Sequence, residues 1–476
     1  MFAERALPII HGQRQPRLAK PLFPAGRGVG VRGACLAILL LTVGLAPGAA
    51  RATPEIQTWQ APSGARVLFV AAPDLPMVDV RVVFDAGSAR DGERSGLASL
   101  TATMLTQGAG DWNADVLAER MENVGAKLDA GADRDMTSVV MRSLTREPAL
   151  STAVETLATV LAAPTFAPSD LERIRENRLV ALRQDQESPK TVGQKALYRA
   201  IFGDHPYAAD PAGTAATITA MTREDLTDFH ARFYRGANAV VAIVGALDRA
   251  GAEALAARVT AGLAAGERPP QLPAVAELTD GTLEAIPFTS SQTTVLAGQP
   301  GMRRGDPDYF PLYVGNHILG GSGLVSILMN EIREKRGLSY STYSYFLPLA
   351  QPGPFLMGLQ TKNAQSEQAR EVLLETLQRF IDQGPTEQEL TAAKKNITGG
   401  FPLRIASNGD IVQYLAVIGF YGLPLDYLDR FTSRIEAIGA AQIRDAFARR
   451  VHPDRLAIVT VGDNSAQASA ISDAGE

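Results

Sequence analysis

Apolar residues recur along this chain at two alternating periods, and that alternation predicts most of its elements. Between Gln57 and Ala86 they fall in short β-rich runs, Val67-Leu68-Phe69-Val70 and then Val78 to Phe84 (VDVRVVF), ending at Gly87. Two strands are expected there. The spacing turns helical in Gly96 to Leu105 (GLASLTATML) and in Asn113 to Val124. Lys127 to Leu144 reads as two strands joined at Ala132-Asp133, and Leu150, Val154, Leu157 and Leu161 share one face of a further helix. Ser169-Asp170-Leu171-Glu172 has the form of a capping box opening a long helix. Ser188-Pro189 and His205-Pro206 mark breaks, Thr222 begins a helix running to Tyr234, and Ala239 to Gly245 (AVVAIVG) is a strand of the buried type.

The second half repeats this order at a fixed distance. Thr386-Glu387-Gln388-Glu389 is a capping box 217 residues after Ser169, and Asp445, Ala448 and Arg449 stand 217 after Asp228, Ala231 and Arg232. Val461-Gly462-Asp463 repeats Val244-Gly245 at the same offset. Two homologous units of roughly 215 residues in tandem follow from this. Strands arrive in adjacent runs followed by runs of helices. The expected fold class is therefore α+β, each unit a mainly antiparallel sheet covered by helices. The layout is a first unit over 53–265, a linker over 266–280 containing the Pro-rich Gly266 to Pro273 (GERPPQLP), and a second unit over 281–465. A Ser/Ala/Asp-rich tail over 466–476 is expected to be disordered.

One stretch of the second unit, Leu319 to Phe346 (LGGSGLVSILMNEIREKRGLSYSTYSYF), combines several signals. Gly320, Gly321, Ser322 and Gly323 form a turn, and Leu324, Ile327, Leu328 and Ile332 follow at helical spacing. Charge gathers in Glu331 to Arg336 before Gly337, a glycine of the kind that stops helices. Tyr340, Tyr343 and Tyr345 then sit among Ser and Thr, as in a strand. Read locally, this is a helix, a turn and a strand with solvated charges. Arg333 near the helix end and Tyr340 at the strand start are spaced so that they could converge on one point.

The N-terminus changes the picture of compartment and charge. A basic region containing Arg14, Arg17, Lys20, Arg27 and Arg32 precedes the apolar Ala34 to Leu45, and Ala50-Arg51-Ala52 is an A-x-A cleavage signal. Residues 1–52 are expected to be a signal peptide cleaved after Ala52, and the mature chain to be periplasmic. The only cysteine, Cys35, lies inside that segment, so the mature chain has no disulfide, thiolate metal site or catalytic thiol. Its balance of 39 basic against 50 acidic residues argues against a nucleic-acid partner. No later stretch is apolar enough to span a membrane.

The residues by themselves assemble no self-sufficient active site. His205, His230, His317 and His452 include no pair at helical i, i+4 spacing and no HxH, and structural roles are expected for them. No G-x-S-x-G elbow, phosphate-binding loop or Rossmann fingerprint is present. Ser322 reads as a turn residue, and Glu172 with Glu176 as a solvated helix face flanked by Arg173 and Arg175.

The segment LGGSG…EIREKRGLSYSTYS resembles the second domain of the M16 family of zinc peptidases, the pitrilysin and mitochondrial-processing-peptidase group. The duplication, the Pro-rich linker and Gly419 to Arg430 (GFYGLPLDYLDR) fit the same family over residues 55–465, the Arg-x6-Tyr spacing being most specific. The resemblance implies an M16/LuxS-like metallohydrolase-type fold. In catalytic members an HxxEH helix supplies two His zinc ligands and a Glu base, and a later helix supplies a third ligand. Here Ser99 and Thr103 stand at the two histidine positions, Ala102 at the base, and Ala181 where the third ligand is expected. Neither zinc binding nor water activation is expected of this chain.

Some members of the family are built from two chains, one bearing HxxEH and the other an Arg/Tyr pair. By resemblance this chain is the second kind: a non-catalytic subunit paired with an HxxEH-containing homologue that carries the zinc. Arg333 would bind the backbone or terminal carboxylate of a peptide substrate, Tyr340 would donate to the developing oxyanion, and Gly320 to Gly323 would line the chamber. Two alternatives stand beside it: a peptide-binding or assembly protein that contributes no catalytic group, and a peptidase with an unrecognised metal site.

Overall fold

The computed structural model describes residues 55–463; the signal segment and the tail expected from the sequence lie outside them. The first sheet contains β1 (Gln57–Gln60), β2 (Arg66–Ala71) and β3 (Met77–Phe84). A small hairpin follows, β4 (Gly108–Ala109) with β5 (Trp112–Asn113). Then β6 (Lys127–Ala132), β7 (Thr137–Leu144) and β8 (Ala239–Gly245) complete that sheet in the order β1-β2-β8-β3-β7-β6. The second sheet is built from β9 (Thr282–Pro287), β10 (Gln292–Pro300), β11 (Thr342–Phe346), β12 (Pro354–Lys362) and β13 (Ala457–Gly462), in the order β11-β12-β10-β13-β9.

The two orders are the same once β1 is set aside. In each unit the last strand lies between the first two: β8 runs parallel to β2 and antiparallel to β3, and β13 runs parallel to β9 and antiparallel to β10. The remaining pairs are antiparallel, as expected from the clustering of strands. The repeat also holds among the helices, since Arg223–Phe233 and Ala440–Arg450 are 217 residues apart end for end.

Strand periodicity explains how the continuous apolar runs are used. Side chains alternate faces along a strand, so Val67 and Phe69 of β2 join one core while Leu68 and Val70 join another. In β8, Val241 and Ile243 face the first core and Val240, Ala242 and Val244 the second. Both faces of these central strands are covered. That is why they lack polar alternation.

What covers the second face comes from the other half of the chain. Helix Asn408–Tyr421 of the second unit packs on β2, β3 and β8, and helix Pro189–Phe202 of the first unit packs on β10 and β13. The units thus exchange a helix. Glycines set the closeness of both contacts. A Cβ at Gly419 would lie 2.5 Å from Val240 Cγ1, and one at Gly193 would lie 3.0 Å from both Leu296 Cδ1 and Val461 Cγ2.

Polar contacts lock this arrangement. Asp135, 3% exposed in the turn between β6 and β7, accepts hydrogen bonds from Tyr207 Oη (2.5 Å), Tyr421 Oη (2.8 Å) and the Ala350 backbone N–H (2.7 Å). Two of those donors belong to the second unit. The linker is pinned as well: Arg90 donates to Pro270 O (2.8 Å), Gln351 to Leu272 O (3.1 Å), and His205 Nε2 meets Pro273 O (3.0 Å). Leu272, Val275 and Leu278 pack beside the exchanged helix Pro189–Phe202. The segment is a bound strap.

One expected cap differs. Thr386 and Glu389 form the reciprocal capping box, but Ser169 does not, because its helix begins at Pro168 with Ala167 as N-cap. Proline suits the first helical position and moves the start two residues toward the N-terminus.

Candidate functional site

The stretch that holds Arg333 and Tyr340 is more irregular than its spacing predicts. Helix Tyr309–Asn316 widens into a π-helical turn at His317–Gly321, a 3₁₀ turn follows at Gly323–Val325, and a second π-helical turn spans Met329–Glu334. Ser326, fully buried, restarts the helix by accepting from the Met329 N–H (3.3 Å) while donating to Gly323 O (2.8 Å). The expected apolar face is therefore shorter than predicted. Leu328 and Ile332 are buried, whereas Leu324 is 67% exposed and Val325 84%. Gly337 ends the helix with a left-handed φ of 61°, its N–H donating to Arg333 O at 2.9 Å. That bond fixes the Arg333 backbone.

Glu331 sorts the charges of the helix. It is buried and accepts from Lys335 Nζ (2.6 Å) and Arg336 Nη1 (2.8 Å), with Arg379 at 3.5 Å. Burial works against its charge, but the bonds from Lys335 and Arg336 outweigh it and hold the carboxyl below its ordinary value. Arg333 stands outside this cluster, with its adjacent Glu334 at 3.5 Å.

Tyr340 is aimed outward by a short serine turn. Ser339 Oγ lies 2.6 Å from Gln360 O and 2.7 Å from Ser341 O, its one proton shared between the two carbonyls, and accepts from the Ser341 N–H (3.3 Å). The residue between the serines is left 83% exposed, two positions before β11 begins. The Arg333 guanidinium carbon lies 4.8 Å from the centre of the Tyr340 ring, so the two side chains meet in a cation–π contact. A fixed cation and an exposed phenol, seven residues apart in sequence, form one surface feature.

The glycine turn divides into two parts. Gly320, expected to line a substrate chamber, is instead buried against β11: a Cβ there would lie 2.4 Å from Ser344 Oγ and 2.5 Å from Ser344 N. Its backbone approaches the protein's own strand. Gly321 and Ser322 are half-buried and Gly323 is exposed, with a φ of 63° and open space around its α-carbon. Gly320→Ala is expected to cost about 1–3 kcal/mol of stability through overpacking. Gly323→Ala carries only left-handed backbone strain, about 1 kcal/mol. Urea midpoints of the two variants compare them, and equal losses would contradict the packing account.

The helix matching HxxEH, Leu97–Met104, opens at Gly96, whose φ of 96° needs glycine. Asp91 accepts from the Gly96 N–H (2.7 Å) and the Ala98 N–H (2.8 Å). Burial pushes the Asp91 carboxyl up to about 7 against the pull of those donors. A carboxyl raised on folding contributes stability that is complete below the ordinary carboxylate range and is lost as pH rises through the folded value. Wild-type urea midpoints are thus expected to fall between about pH 4.5 and about pH 8 more steeply than those of Asp91→Asn. Parallel profiles would show that burial of Asp91 is not the cause.

On this helix Ala102 is fully buried, and Ser99 and Thr103, one turn apart, are half-buried. Thr103 Oγ1 donates to its own helix at Ser99 O (2.9 Å). Ala181, expected opposite them, is exposed. The residue of helix Pro168–Gln186 that reaches Ser99 is Arg178, one turn earlier, whose Nη2 donates to Ser99 Oγ at 3.0 Å. Zinc does not fit this set: two hydroxyls, a methyl and a guanidinium replace two imidazoles and two carboxylates, and a fixed cation repels a metal ion. Among the described residues no group of three or more His, Cys, Asp or Glu could hold a metal. His205 and His230 bond backbone carbonyls at Pro273 and Leu161, and burial pushes the His317 imidazole down to about 4. Glu172 is paired with Arg175 Nε at 3.0 Å, as its solvated face suggested. No described helix is long and apolar enough to cross a membrane.

Comparison with known proteins agrees with this geometry. Residues 66–215 match the family model described as insulinase (peptidase family M16), and residues 220–397 match that of the peptidase M16 inactive domain. An uncharacterized zinc protease of Mycobacterium leprae is 29% identical over 74% of this chain and 80% of its own. The non-peptidase homolog YmxG of Helicobacter pylori is 27% identical over 78% of this chain and 85% of its own. The crystal structure of a peptidase M16 inactive domain from Pseudomonas fluorescens is 38% identical, covers 86% of this chain and 98% of its own, and superposes with a TM-score of 0.83. A protease structure from Helicobacter pylori, 18% identical with a TM-score of 0.81, shares the fold. With the two models in tandem and a relative of 38% identity matched over nearly its whole length, the chain belongs to the M16 peptidase family.

Proposed function

We propose that this chain is the non-catalytic subunit of a heterodimeric periplasmic M16 zinc peptidase, completing the active site of an HxxEH-bearing homologue. Arg333 holds the peptide backbone or terminal carboxylate, and Tyr340 donates to the oxyanion that forms at the scissile carbonyl. The zinc and the base that activates water belong to the partner. One contrast carries this reading. The metal positions of the first unit are occupied by Ser99, Ala102 and Thr103, with Arg178 beside them, while Arg333 and Tyr340 meet at 4.8 Å on an exposed, braced turn. The exposed Leu324 and Val325 supply apolar surface of the sort that binds a partner or peptide. The name of the Helicobacter pylori relative, a non-peptidase homolog, supports the absence of independent activity. The signal pattern of residues 1–52 supports the compartment.

Reconstitution tests the proposal. The chain and an HxxEH homologue should co-elute as a heterodimer that cleaves peptides, with zinc near one equivalent per pair. The chain alone should carry no stoichiometric zinc by elemental analysis and cleave nothing. Stoichiometric zinc in the isolated chain, or full activity of the partner by itself, would sink the assignment.

A further inference from the structure

The stripe matching the metal helix is partly exposed and has a positive charge beside it. Ser99 and Thr103 remain partly open to solvent between the buried Ala98, Leu100 and Ala102. Arg178 enters from the neighbouring helix and is held there by the Ser99 hydroxyl at 3.0 Å. Its neighbours on the helix are differently engaged: Arg173 bonds Gln107 and Asp170, and Arg175 bonds the carbonyls of Thr219 and Met221 as well as Glu172. Asp185 and Asp210, the acidic groups that act on Arg178 through space, are both bonded to Lys195, at 2.9 and 2.8 Å. A guanidinium has five N–H donors, and a serine hydroxyl can satisfy few of them.

We propose that Arg178 and Ser99 form a binding site for a carboxylate of a peptide, either its C-terminus or an acidic side chain. The guanidinium fork matches a carboxylate in a bidentate pair. Ser99 fixes the fork and can turn its own hydroxyl proton toward the ligand. Where a catalytic relative uses a divalent cation to polarise an oxygen, this chain uses a permanent organic cation to hold one. The site rests on the reading that the chain handles peptides, but it needs neither the partner nor zinc.

The test is a fluorescence-anisotropy titration of the full purified chain, without metal, using three labelled peptides that differ only at the C-terminal end. One ends in a free carboxylate, one in a C-terminal amide, and one in an amide preceded by glutamate. The wild type should bind the free acid about tenfold or more tighter than the plain amide, the size of one charge-assisted pair. The glutamyl amide separates a terminal from a side-chain carboxylate. In an Arg333→Ala background, Arg178→Ala should abolish the preference, Arg178→Lys should keep part of it, and Ser99→Ala should weaken it. A preference unchanged by Arg178→Ala in that background, absent from the wild type, or lost instead in Arg333→Ala overturns the proposal. Circular dichroism of each variant excludes misfolding. Reconstituted cleavage by Arg178→Ala judges the subunit assignment separately.

Discussion

Tyr340→Phe is expected to lower kcat of the reconstituted heterodimer by about 10²–10³-fold, the effect of removing one oxyanion donor, or about 2.7–4 kcal/mol of transition-state stabilisation. The substitution removes a single hydroxyl and leaves the ring beside Arg333, so the 4.8 Å contact survives. Because Tyr340 is 83% exposed, its loss should change stability by less than about 0.5 kcal/mol. Arg333→Ala should act mainly on KM, since a guanidinium that holds the substrate contributes to ground-state and transition-state binding alike. Steady-state kinetics on a fluorogenic peptide separate the two effects. Full activity in both variants would make the pair a structural feature and the chain a passive wall of the chamber.

Asp135→Ala should be the most destabilising single change outside the apolar core, by roughly 3–5 kcal/mol, because three buried donors lose one acceptor and each stranded group costs about 1–3 kcal/mol. The donors are Tyr207 Oη, Tyr421 Oη and the Ala350 N–H, and the second two come from the other unit. The damage should therefore appear first as loosening between units. Proteolysis within the strap at 266–280 is expected to accelerate before the circular dichroism signal falls. Tyr421→Phe, which removes one donor together with its share of the acceptor, should cost only about 1 kcal/mol. Urea unfolding of both variants checks the ratio. A loss below about 1 kcal/mol for Asp135→Ala would mean that water replaces the missing carboxylate.

Much of this was legible from residues alone, for reasons that can be named. The fixed 217-residue offset foretold two units, and their sheets share one strand order because both inherit the same succession of apolar runs. Gly337 was readable as a helix stop because a left-handed φ strongly favours glycine. That Ser99, Ala102 and Thr103 are residues of a kind that seldom ligates zinc was readable because metal ligation depends on residue type. Other features were not. Ser169 has the composition of a capping box, but Pro168 takes the first helical position and displaces it. Leu324 keeps helical spacing with Leu328, yet Ser326 starts the helix after it and leaves it in solvent. Ala181 was set opposite Ser99 by counting along the chain. A helix repeats every 3.6 residues, so an error of three moves the choice by about one turn, to Arg178.

By itself, then, the sequence determined what is local or chemical: the α+β units and their duplication, the strands by their period, and the residue types that stand at 99, 102 and 103. Tertiary structure decided what depends on distance between residues remote in the chain. An apolar face on β2 and β8 calls for a cover, but hydrophobic burial has no direction. Only packing shows that the cover is helix Asn408–Tyr421 from the other unit, admitted by Gly419. Likewise, only folding brings Asp135 to Tyr421, Arg178 to Ser99, and Arg333 onto the ring of Tyr340.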